Sequence, residues 1–402
     1  MISLELHIID YVLLGILAAL FIAQVYWYSR YMAAPARKMR KDKKLTAKSQ
    51  EPTAETPGVS VILCAHNESE NLSRYLQALL TQDYPEYEVI VVDDGSEDST
   101  RAVIESYMIH DPRLHMTFVP YGARVRSTKK LALTLAAKSA KYDYLLLTDA
   151  DCVPESKHWI ASMMAGFQRP TTNDQHPVDI VLGFGAYFAE KGHINRLVRY
   201  DTLFNGLHYL GAAICKHPYM GVGRNLAYRK SLFFESGGFT RMMDNRAGDD
   251  DLFVNHVATK TNTAVVVNPE SYTWSLTKKT MKEWWQQKRR HLSVSPNYKA
   301  FTKMSLTMEP VIRGLFYTAV LAALIVCPLS YFQVVPFTIS PLIALVALAV
   351  FLIRWILQTA ILNVSARRMG LKRFSMFSVL WFDIALPLVN LWMLLIPRKY
   401  KW

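Results

Sequence analysis

A short apolar segment that ends in two acidic residues places the strongest constraint on how this chain can fold. Residues 145–147 are all leucine, and the next acidic residues are Asp149 and Asp151. Apolar runs of this length are typical of a buried parallel strand. In an open α/β sheet, ligands bind at the edge formed by the carboxyl ends of the strands. The pattern therefore predicts an α/β sheet that presents two carboxylates at its ligand-binding edge.

The spacing of these two aspartates suits a divalent cation. A metal ion can contact one carboxylate directly and the other either directly or through a water molecule. Hard oxygen donors favour Mg²⁺ or Mn²⁺, which usually take substrate phosphates among their remaining ligands. The alternative from the residues alone is a polar turn after the strand, because aspartate is common in turns.

Strand-like and helix-like segments alternate ahead of this point. Residues 59–64 and 89–92 have the apolar composition of buried parallel strands, and each is followed by a segment with helical spacing. Such alternation predicts a doubly wound α/β sheet with right-handed crossovers. The chain lacks both the Gly-x-Gly-x-x-Gly and the Gly-Lys-Ser/Thr fingerprints of phosphate-binding loops. A bound nucleotide would therefore have to be held by carboxylates and a metal ion.

Long apolar segments near both ends predict membrane spans. Residues 11–28 carry no charged side chain, and their number suits one span. Residues 314–353 also carry none, and their number suits two spans. Residues 29–50 hold eight Lys or Arg residues against one acid, so the positive-inside rule places them in the cytoplasm. Residues 374–396 form either a further span or a re-entrant hairpin. Asp383 within them is either a polar contact of the bundle or part of an acceptor path.

The composition agrees with a membrane protein. The chain of 402 residues is 51% hydrophobic and 20% charged, with a formal net charge of +13. The basic residues cluster beside the apolar segments and form no recognisable nucleic-acid module, so no nucleic-acid partner is expected. The four cysteines have no short metal-binding spacing and are expected to be reduced.

The ordered motifs resemble those of the inverting family-2 glycosyltransferases, whose catalytic domain has the fold called GT-A. The chain is similar to the membrane-bound members, which include processive polysaccharide synthases and bacterial cell-envelope glycosyltransferases. The resemblance is carried by residues 59–68 (VSVILCAHNE), residues 91–100 (VVDDGSEDST), Lys129 with Ala132 and Leu133, and the pair Asp149 and Asp151.

This resemblance implies a division of the chain into four parts. Residues 1–29 would form an N-terminal transmembrane helix, and residues 30–56 a basic cytoplasmic linker that is also expected to be solvated and disordered. Residues 57–296 would form the GT-A domain, and residues 297–402 a C-terminal membrane region with two or three spans. The expected location is the inner (cytoplasmic) membrane, as a multi-pass protein with its catalytic domain in the cytoplasm.

The resemblance also implies roles for the residues at the edge of the sheet. Ala65, Glu68 and Asp94 would line the pocket for the nucleotide base and ribose, with Asp93 or Lys129 close by. Asp93 can instead serve a plain turn, and Lys129 can be either a phosphate partner or a solvated lysine at a helix start. Asp149 would lie beside the donor, and Asp149 and Asp151 would bind the metal ion. Gly223 and Asn225 fit either the sugar and acceptor site or a structural turn.

Two further motifs would supply the catalytic groups. In the triplet Asp249, Asp250 and Asp251, the resemblance places the general base at Asp249, with Asp250 in reserve because the register is uncertain by one. Asp251 is expected to cap the following helix. Gln287 and Arg290 match the Gln-x-x-Arg-Trp motif of processive members, and Arg290 would neutralise the leaving diphosphate. The alternative there is a basic amphipathic helix on the membrane, and His291 in the tryptophan position puts polymerisation in doubt.

The function expected from the resemblance is inverting transfer of a sugar. The donor would be a nucleoside diphosphate sugar, expected to be uridine-linked, and the acceptor a polysaccharide or a lipid-linked glycan at the membrane. A second possibility is transfer to a polyprenyl phosphate or glycolipid. A third is a catalytically silent sugar-nucleotide sensor or scaffold, against which the intact Asp149, Asp151 and Asp249 argue.

Overall fold

The structure is a computed structural model that describes residues 6–46 and 56–395, apart from residues 121, 124, 169–176, 246 and 335–338. Its helices are α1 Ile8–Trp27, α2 Ala34–Thr46, α3 Ser69–Leu80, α4 Thr100–Met108, α5 Thr128–Ser139, α6 Trp159–Met164, α7 His193–Ile214, α8 Lys230–Glu235, α9 Asp251–Val257, α10 Met281–Leu292, α11 Ala300–Tyr331, α12 Pro341–Arg368 and α13 Met376–Leu395. Its strands are β1 Val59–Ala65, β2 Tyr87–Asp93, β3 Leu114–Phe118, β4 Tyr144–Leu147, β5 Cys152–Pro154, β6 Ile180–Leu182, β7 Gly185–Tyr187, β8 Leu226–Arg229, β9 Thr263–Val265 and β10 Thr273–Ser275.

A seven-stranded sheet in the order β3-β2-β1-β4-β8-β6-β9 lies at the centre of the domain. Strand β1 pairs in parallel with both β2 and β4, whereas β8 runs antiparallel to β4 and β6. Alternate residues of β2 enter different cores, since Ile90 packs in one cluster and Val91 in the other. The central strands are therefore covered on both faces, which explains why their sequences are almost continuously apolar. The predicted α/β fold class is confirmed.

A second, three-stranded sheet in the order β5-β10-β7 lies beside the acidic pair. Strand β5 begins at Cys152, immediately after Asp151, and pairs antiparallel with β10. Strand β10 also pairs in parallel with β7. The chain is thus anchored in a sheet on both sides of Asp149 and Asp151.

Four described helices are long and apolar enough to cross a membrane. They are a continuous N-terminal helix over residues 8–43, together with α11, α12 and α13. Helix α1 continues through a π-helical turn, Tyr28–Met32, into α2. The expectation of a disordered linker is therefore wrong up to Thr46, and residues 47–55 of that linker lie outside the described residues. Residues such as Ala, Lys, Arg and Met favour helix, and α2 also packs against α7, where Ala34 and Ala36 are buried.

A buried polar network joins three of these apolar helices, α11, α12 and α13, at Asp383. This carboxylate accepts hydrogen bonds from Arg313 at 2.6 Å, Arg354 at 3.0 Å, Gln358 at 2.6 Å and Tyr317 at 2.7 Å. Arg313 also contacts Glu309 at 2.9 Å, so two arginines are balanced by two acids. Asp383 is thus a polar contact of the helix bundle. The residues of α13 form one continuous helix, so the re-entrant hairpin does not occur within Met376–Leu395.

The network at Asp383 makes a testable prediction about stability. Asp383→Asn removes the negative charge that faces Arg313 and Arg354, and leaving buried charges unpaired costs about 3–5 kcal/mol. We expect a lower midpoint of thermal unfolding for the purified full-length variant in detergent. The matched control is Asp42→Asn, because the ion pair of Asp42 with Lys38 is partly exposed. Equal midpoints for the two variants would contradict a stabilising role for the network.

Candidate active site

The carboxyl ends of three neighbouring strands bring the predicted site residues together. Strand β1 ends at Ala65, β2 ends at Asp93, and β4 ends two residues before Asp149. The backbone N–H of Asp94 donates to the carbonyl of Ala65 at 2.8 Å. The loops after β1 and β2 are therefore fixed to one another at the same edge of the sheet as the acidic pair.

The two aspartates after β2 have different surroundings. The Asp93 carboxylate is buried and accepts from the backbone N–H of Ser96 at 3.0 Å, which agrees with a role in the turn. The Asp94 carboxylate accepts from the Thr128 hydroxyl at 2.6 Å, at the start of α5. Burial raises the pKa of Asp94 above its usual value, although the bond from Thr128 opposes this. The Asp94 carboxylate, unlike that of Asp93, thus contacts the start of α5.

Glu68 lies at the same edge, half-buried near the start of α3. Its carboxylate accepts from the Asn71 amide, and the charge of Asp151 is close enough to act on it. Burial is the main cause that raises the pKa of Glu68, and Asp151 adds to the effect. The structure therefore places Glu68 close to the acidic pair, and its contact with a nucleotide stays a prediction.

Lys129 connects an acid predicted to bind the metal, Asp149, with the acid predicted as the general base, Asp249. Its ammonium lies 2.9 Å from an oxygen of Asp149 and 3.3 Å from an oxygen of Asp249. Burial disfavours the charged form of Lys129, but the two carboxylates outweigh it, so its pKa lies well above its usual range. Lys129 is therefore an ion-paired residue of the site and not a solvated lysine at a helix start. Its contact with a donor phosphate stays a prediction.

The acidic pair has the chemistry of a metal site. One possible ligand atom from each of Asp149, Asp151 and Cys152 lies within 4.8 Å of the others. Burial raises the pKa of Asp151, and Asp149 adds to this, whereas the Lys129 charge outweighs burial and lowers the pKa of Asp149. Burial also raises the pKa of the Cys152 thiol well above its usual range, and a protonated thiol is a poor ligand. Two hard carboxylates remain, and they fit Mg²⁺ or Mn²⁺.

The three consecutive aspartates have distinct partners. Asp250 accepts from the N–H groups of Gly223 and Asp251, both at 2.7 Å, and it is the N-cap of α9. The capping role predicted for Asp251 therefore belongs to Asp250. Asp251 is buried and accepts from the Tyr298 hydroxyl at 2.8 Å. Asp249 is the member of the triplet that contacts Lys129, and its role as the general base stays a prediction.

Helix α10 lies beside the acidic pair. The Gln287 amide donates to the Tyr187 hydroxyl at 3.2 Å, and the Arg290 charge is close enough to Asp149 to favour its ionised form. Trp284 on the same helix is buried, and Trp285 packs against Trp392 of α13. The helix is therefore packed between the site and α13, with Arg290 near the carboxylates.

The comparisons with known proteins agree with this geometry. Residues 60–236 match the model of the family described as Glycosyl transferase family 2. Residues 60–236 form a glycosyl transferase family 2 domain. The family predicted from the motifs is thereby confirmed, and the two sheets and flanking helices of the domain are those of the expected GT-A fold.

Curated relatives match this domain over part of their length. A poly-beta-1,6-N-acetyl-D-glucosamine synthase of Staphylococcus epidermidis is 34% identical over 112 residues, which are 28% of this chain and 26% of the relative. A probable glycosyltransferase, YdaM, of Bacillus subtilis is 26% identical over 252 residues, 60% of this chain and 56% of the relative. The chain thus spans about a quarter and about half of the lengths of these two proteins.

Solved structures are similar at low identity. The mannosyltransferase PcManGT from Pyrobaculum calidifontis, in complex with GDP-Man and Mn²⁺, is 19% identical, covers 94% of this chain and 95% of its own, and has a TM-score of 0.48. TarS of S. aureus is 18% identical, covers 60% of this chain and 40% of its own, and has a TM-score of 0.40. The donor and metal of the first complex are properties of that protein.

Arg224 is a charged residue of the family 2 domain that sequence reasoning missed. Its guanidinium donates to the Gly185 carbonyl at 3.1 Å and to the Ser275 hydroxyl at 3.0 Å, and it lies 4.3 Å from the centre of the Tyr187 ring. Its charge acts on both Asp149 and Asp151. The signal was its position between Gly223 and Asn225, the two residues singled out in this stretch.

Asn225 has a structural role. It is fully buried, and its amide donates to the carbonyls of Phe184 at 3.0 Å and Ser271 at 2.6 Å. Its side-chain oxygen accepts from the Trp159 indole at 3.1 Å. Of the two alternatives for Asn225, the structure therefore shows the structural turn.

Lys130 holds the segment that leads to Asp249. Its buried ammonium donates to the carbonyls of Met242 and Ala247, both at 2.8 Å, and to that of Asn245. Burial lowers the pKa of Lys130. Since an ammonium has three hydrogens, all its donors are used, and the segment before Asp249 is tied to the start of α5.

The contacts of Lys130 predict a loss of stability on substitution. Lys130→Met keeps a long apolar side chain but leaves three carbonyls without their donor, and unsatisfied buried groups cost about 1–3 kcal/mol. We expect a lower free energy of unfolding, measured by thermal or denaturant unfolding of the full chain. Lys138→Met, at an exposed position on the same helix, is the control and should leave stability unchanged. Equal stability of both variants would show that Lys130 does not hold this segment.

Proposed function

We propose that this chain is a membrane-anchored inverting glycosyltransferase. It moves a sugar from a nucleoside diphosphate sugar, with uridine as the expected nucleoside, to a hydroxyl of a polysaccharide or lipid-linked acceptor. One observation carries the proposal: the Lys129 ammonium contacts both Asp149 of the metal pair and Asp249. The group that would bind the donor and the group that would activate the acceptor therefore lie side by side.

Asp149 and Asp151 would hold Mg²⁺ or Mn²⁺. When bound, such a cation would supply positive charge against the diphosphate of the donor. The two carboxylates support this role because burial and mutual repulsion raise the pKa of Asp151, and a cation would relieve that repulsion. Binding of the sugar nucleotide would therefore depend on a divalent metal.

The nucleotide would lie over the ends of β1 and β2. The Asp94 carboxylate can accept a hydrogen bond from the imide N–H of uracil, and Ala65 and Glu68 lie on the adjoining loop. The contact from Thr128 to Asp94 supports the proposal, because it fixes the orientation of that carboxylate. Thr128 precedes Lys129, so the same helix start would reach both the base and the diphosphate.

Asp249 would act as the general base. Its carboxylate takes the proton from the acceptor hydroxyl, whose oxygen attacks the anomeric carbon while the bond to the diphosphate oxygen breaks on the opposite side. This displacement inverts the configuration at the anomeric carbon. Arg290 and Arg224 supply fixed positive charge for the leaving diphosphate. Asp250 is less suited as base, because two backbone N–H groups occupy its oxygens.

The catalytic domain would face the cytoplasm from the inner membrane. The support is the basic helix α2, which holds most of the Lys and Arg residues that follow the first apolar segment and packs against the domain. A silent sensor or scaffold is the alternative function, and the paired arrangement of Asp149, Asp249 and Lys129 argues against it.

The metal proposal predicts that Asp151→Asn weakens binding of the donor. The substitution keeps the shape of the side chain but removes the charged ligand, so affinity for a uridine diphosphate sugar should fall and lose its dependence on Mg²⁺ or Mn²⁺. Isothermal calorimetry with and without a chelator measures both effects. Asp143→Asn, at an exposed position before β4, is the control. Unchanged affinity and metal dependence in Asp151→Asn would place the metal elsewhere.

The base proposal predicts that Asp249→Asn separates catalysis from binding. General-base assistance contributes roughly 10²–10⁴-fold in rate, so transfer should fall by about that factor while donor affinity changes little. Asp250→Asn is the matched variant, and it should cost stability more than rate. The measurements are donor affinity and product formation for both variants. An inactive Asp250→Asn beside an active Asp249→Asn would move the base by one residue, and full activity of both would contradict the mechanism.

A further inference from the structure

Helix α13 is apolar enough to cross a membrane, but its first half lies against the catalytic domain. Phe374, just before the helix, has its ring 5.4 Å from that of Tyr200 on α7. Phe382, two turns into the helix, lies 5.0 Å from the same Tyr200 ring. One residue of the domain therefore contacts two positions that are eight residues apart.

The second half of α13 also stays beside the domain. The Trp392 ring lies 5.0 Å from the ring of Trp285 and 6.0 Å from the guanidinium of Arg289, both on α10. Trp392 is 16 residues from Met376, which is about 24 Å along a helix. A helix that left the domain to cross the bilayer would carry Trp392 that far away from it.

The contacts of α13 with α12 also bear on the direction in which α13 runs. The Trp355 indole donates to the carbonyl of Met376 at 2.9 Å. Seven residues later, Asp383 still contacts Arg354 and Gln358, within one turn of Trp355. An antiparallel neighbour would have moved about 10 Å along α12 over that distance. The segment before the helix contacts a later part of α12, where the Asn363 amide donates to the Phe374 carbonyl at 2.9 Å, whereas Met376 and Asp383 both contact the turn around Trp355.

We propose that α13 lies flat in the membrane interface beneath the catalytic domain, whereas α1, α11 and α12 cross the bilayer. The exposed face of α13 would contact the acyl chains of the lipid leaflet on the side of the domain. This inference rests on the proposed membrane anchoring. It also keeps both ends of α13, Met376 and Leu395, on one side of the membrane.

The exposed face of α13 fits lipid. Phe377 is 78% exposed and Trp381 is 68% exposed. The spacing of the exposed residues makes one continuous apolar stripe along the helix. The stripe consists of Phe377, Trp381, Ile384, Leu388, Leu391 and Leu395. The opposite face, which includes Val379, Phe382 and Leu386, is buried against the protein.

The positions of the charged residues near α13 also favour contact of this helix with lipid. The exposed cations Arg367, at the end of α12, and Lys372 and Arg373, in the loop before α13, suit the anionic headgroups of a membrane surface. Arg354 lies 13 residues from Pro341, about 20 Å along α12, in a hydrocarbon core about 30 Å thick. The network at Asp383 would then lie towards the domain side of the bilayer, where charges cost less than at its centre.

Depth measurements on the full chain in lipid vesicles test this orientation. A fluorophore is attached at Phe377→Cys, Ile384→Cys or Leu391→Cys, in a background whose natural cysteines are replaced by alanine. Quenching by lipids brominated at different chain positions gives the depth of each site. The control series is Leu345→Cys, Leu352→Cys and Ile356→Cys on α12, all exposed positions.

The proposal expects one shallow depth for all three α13 positions and graded depths for the α12 series. Graded depths along α13, with neighbouring positions differing by about 10 Å, would overturn it, because α13 would then cross the bilayer. Absence of quenching in both series would overturn the membrane anchoring itself, so failure of the inference and failure of the proposed function are distinguishable.

Discussion

The contact of one ammonium with two carboxylates is the interaction on which the site depends. Asp149 follows a strand, Asp249 precedes a helix, and their negative charges oppose close approach. Lys129 lies between them, 2.9 Å from Asp149 and 3.3 Å from Asp249. Because Lys129 lies in the first turn of α5, next to the loop after β2, the same contact would also fix where a donor lies relative to the proposed base.

The residues around this contact tie the site to the long apolar helix α11. Lys130 fixes the segment before Asp249, and Tyr298 bonds to Asp251 just ahead of α11. Asn255 on α9 bonds to Thr302 of α11. Helix α9, which follows the proposed base Asp249, is therefore held at the start of α11.

The sheet and the acidic pair could be predicted from the sequence because their signals are local. A buried parallel strand requires an apolar run, and the polar residues after it must lie at the ligand edge. Asp149, Asp151 and Asp94 follow this rule directly. The helical part of the basic segment is harder to predict, because a high charge density also fits disorder, although the same residue types favour helix and α2 packs against α7.

The remaining features depend on the tertiary path of the chain. Lys129 and Lys130 are adjacent at a helix start, and nothing local shows that one faces two acids and the other three carbonyls. The roles of Asp249 and Asp250 differ only through partners on distant segments. Hydropathy likewise shows that α13 is apolar, but it does not show the direction in which the helix runs. That direction follows from the contacts of α13 with α7, α10 and α12.

The central claim is metal-dependent transfer from a nucleoside diphosphate sugar, and one measurement tests it most directly. The purified full-length protein in lipid is incubated with a panel of sugar nucleotides, and release of nucleoside diphosphate is followed with Mg²⁺, Mn²⁺ or a chelator. The account predicts release from at least one uridine-linked donor that requires the metal and rises when an acceptor is present. Release from no donor under any metal condition, or release unaffected by chelation, would contradict it.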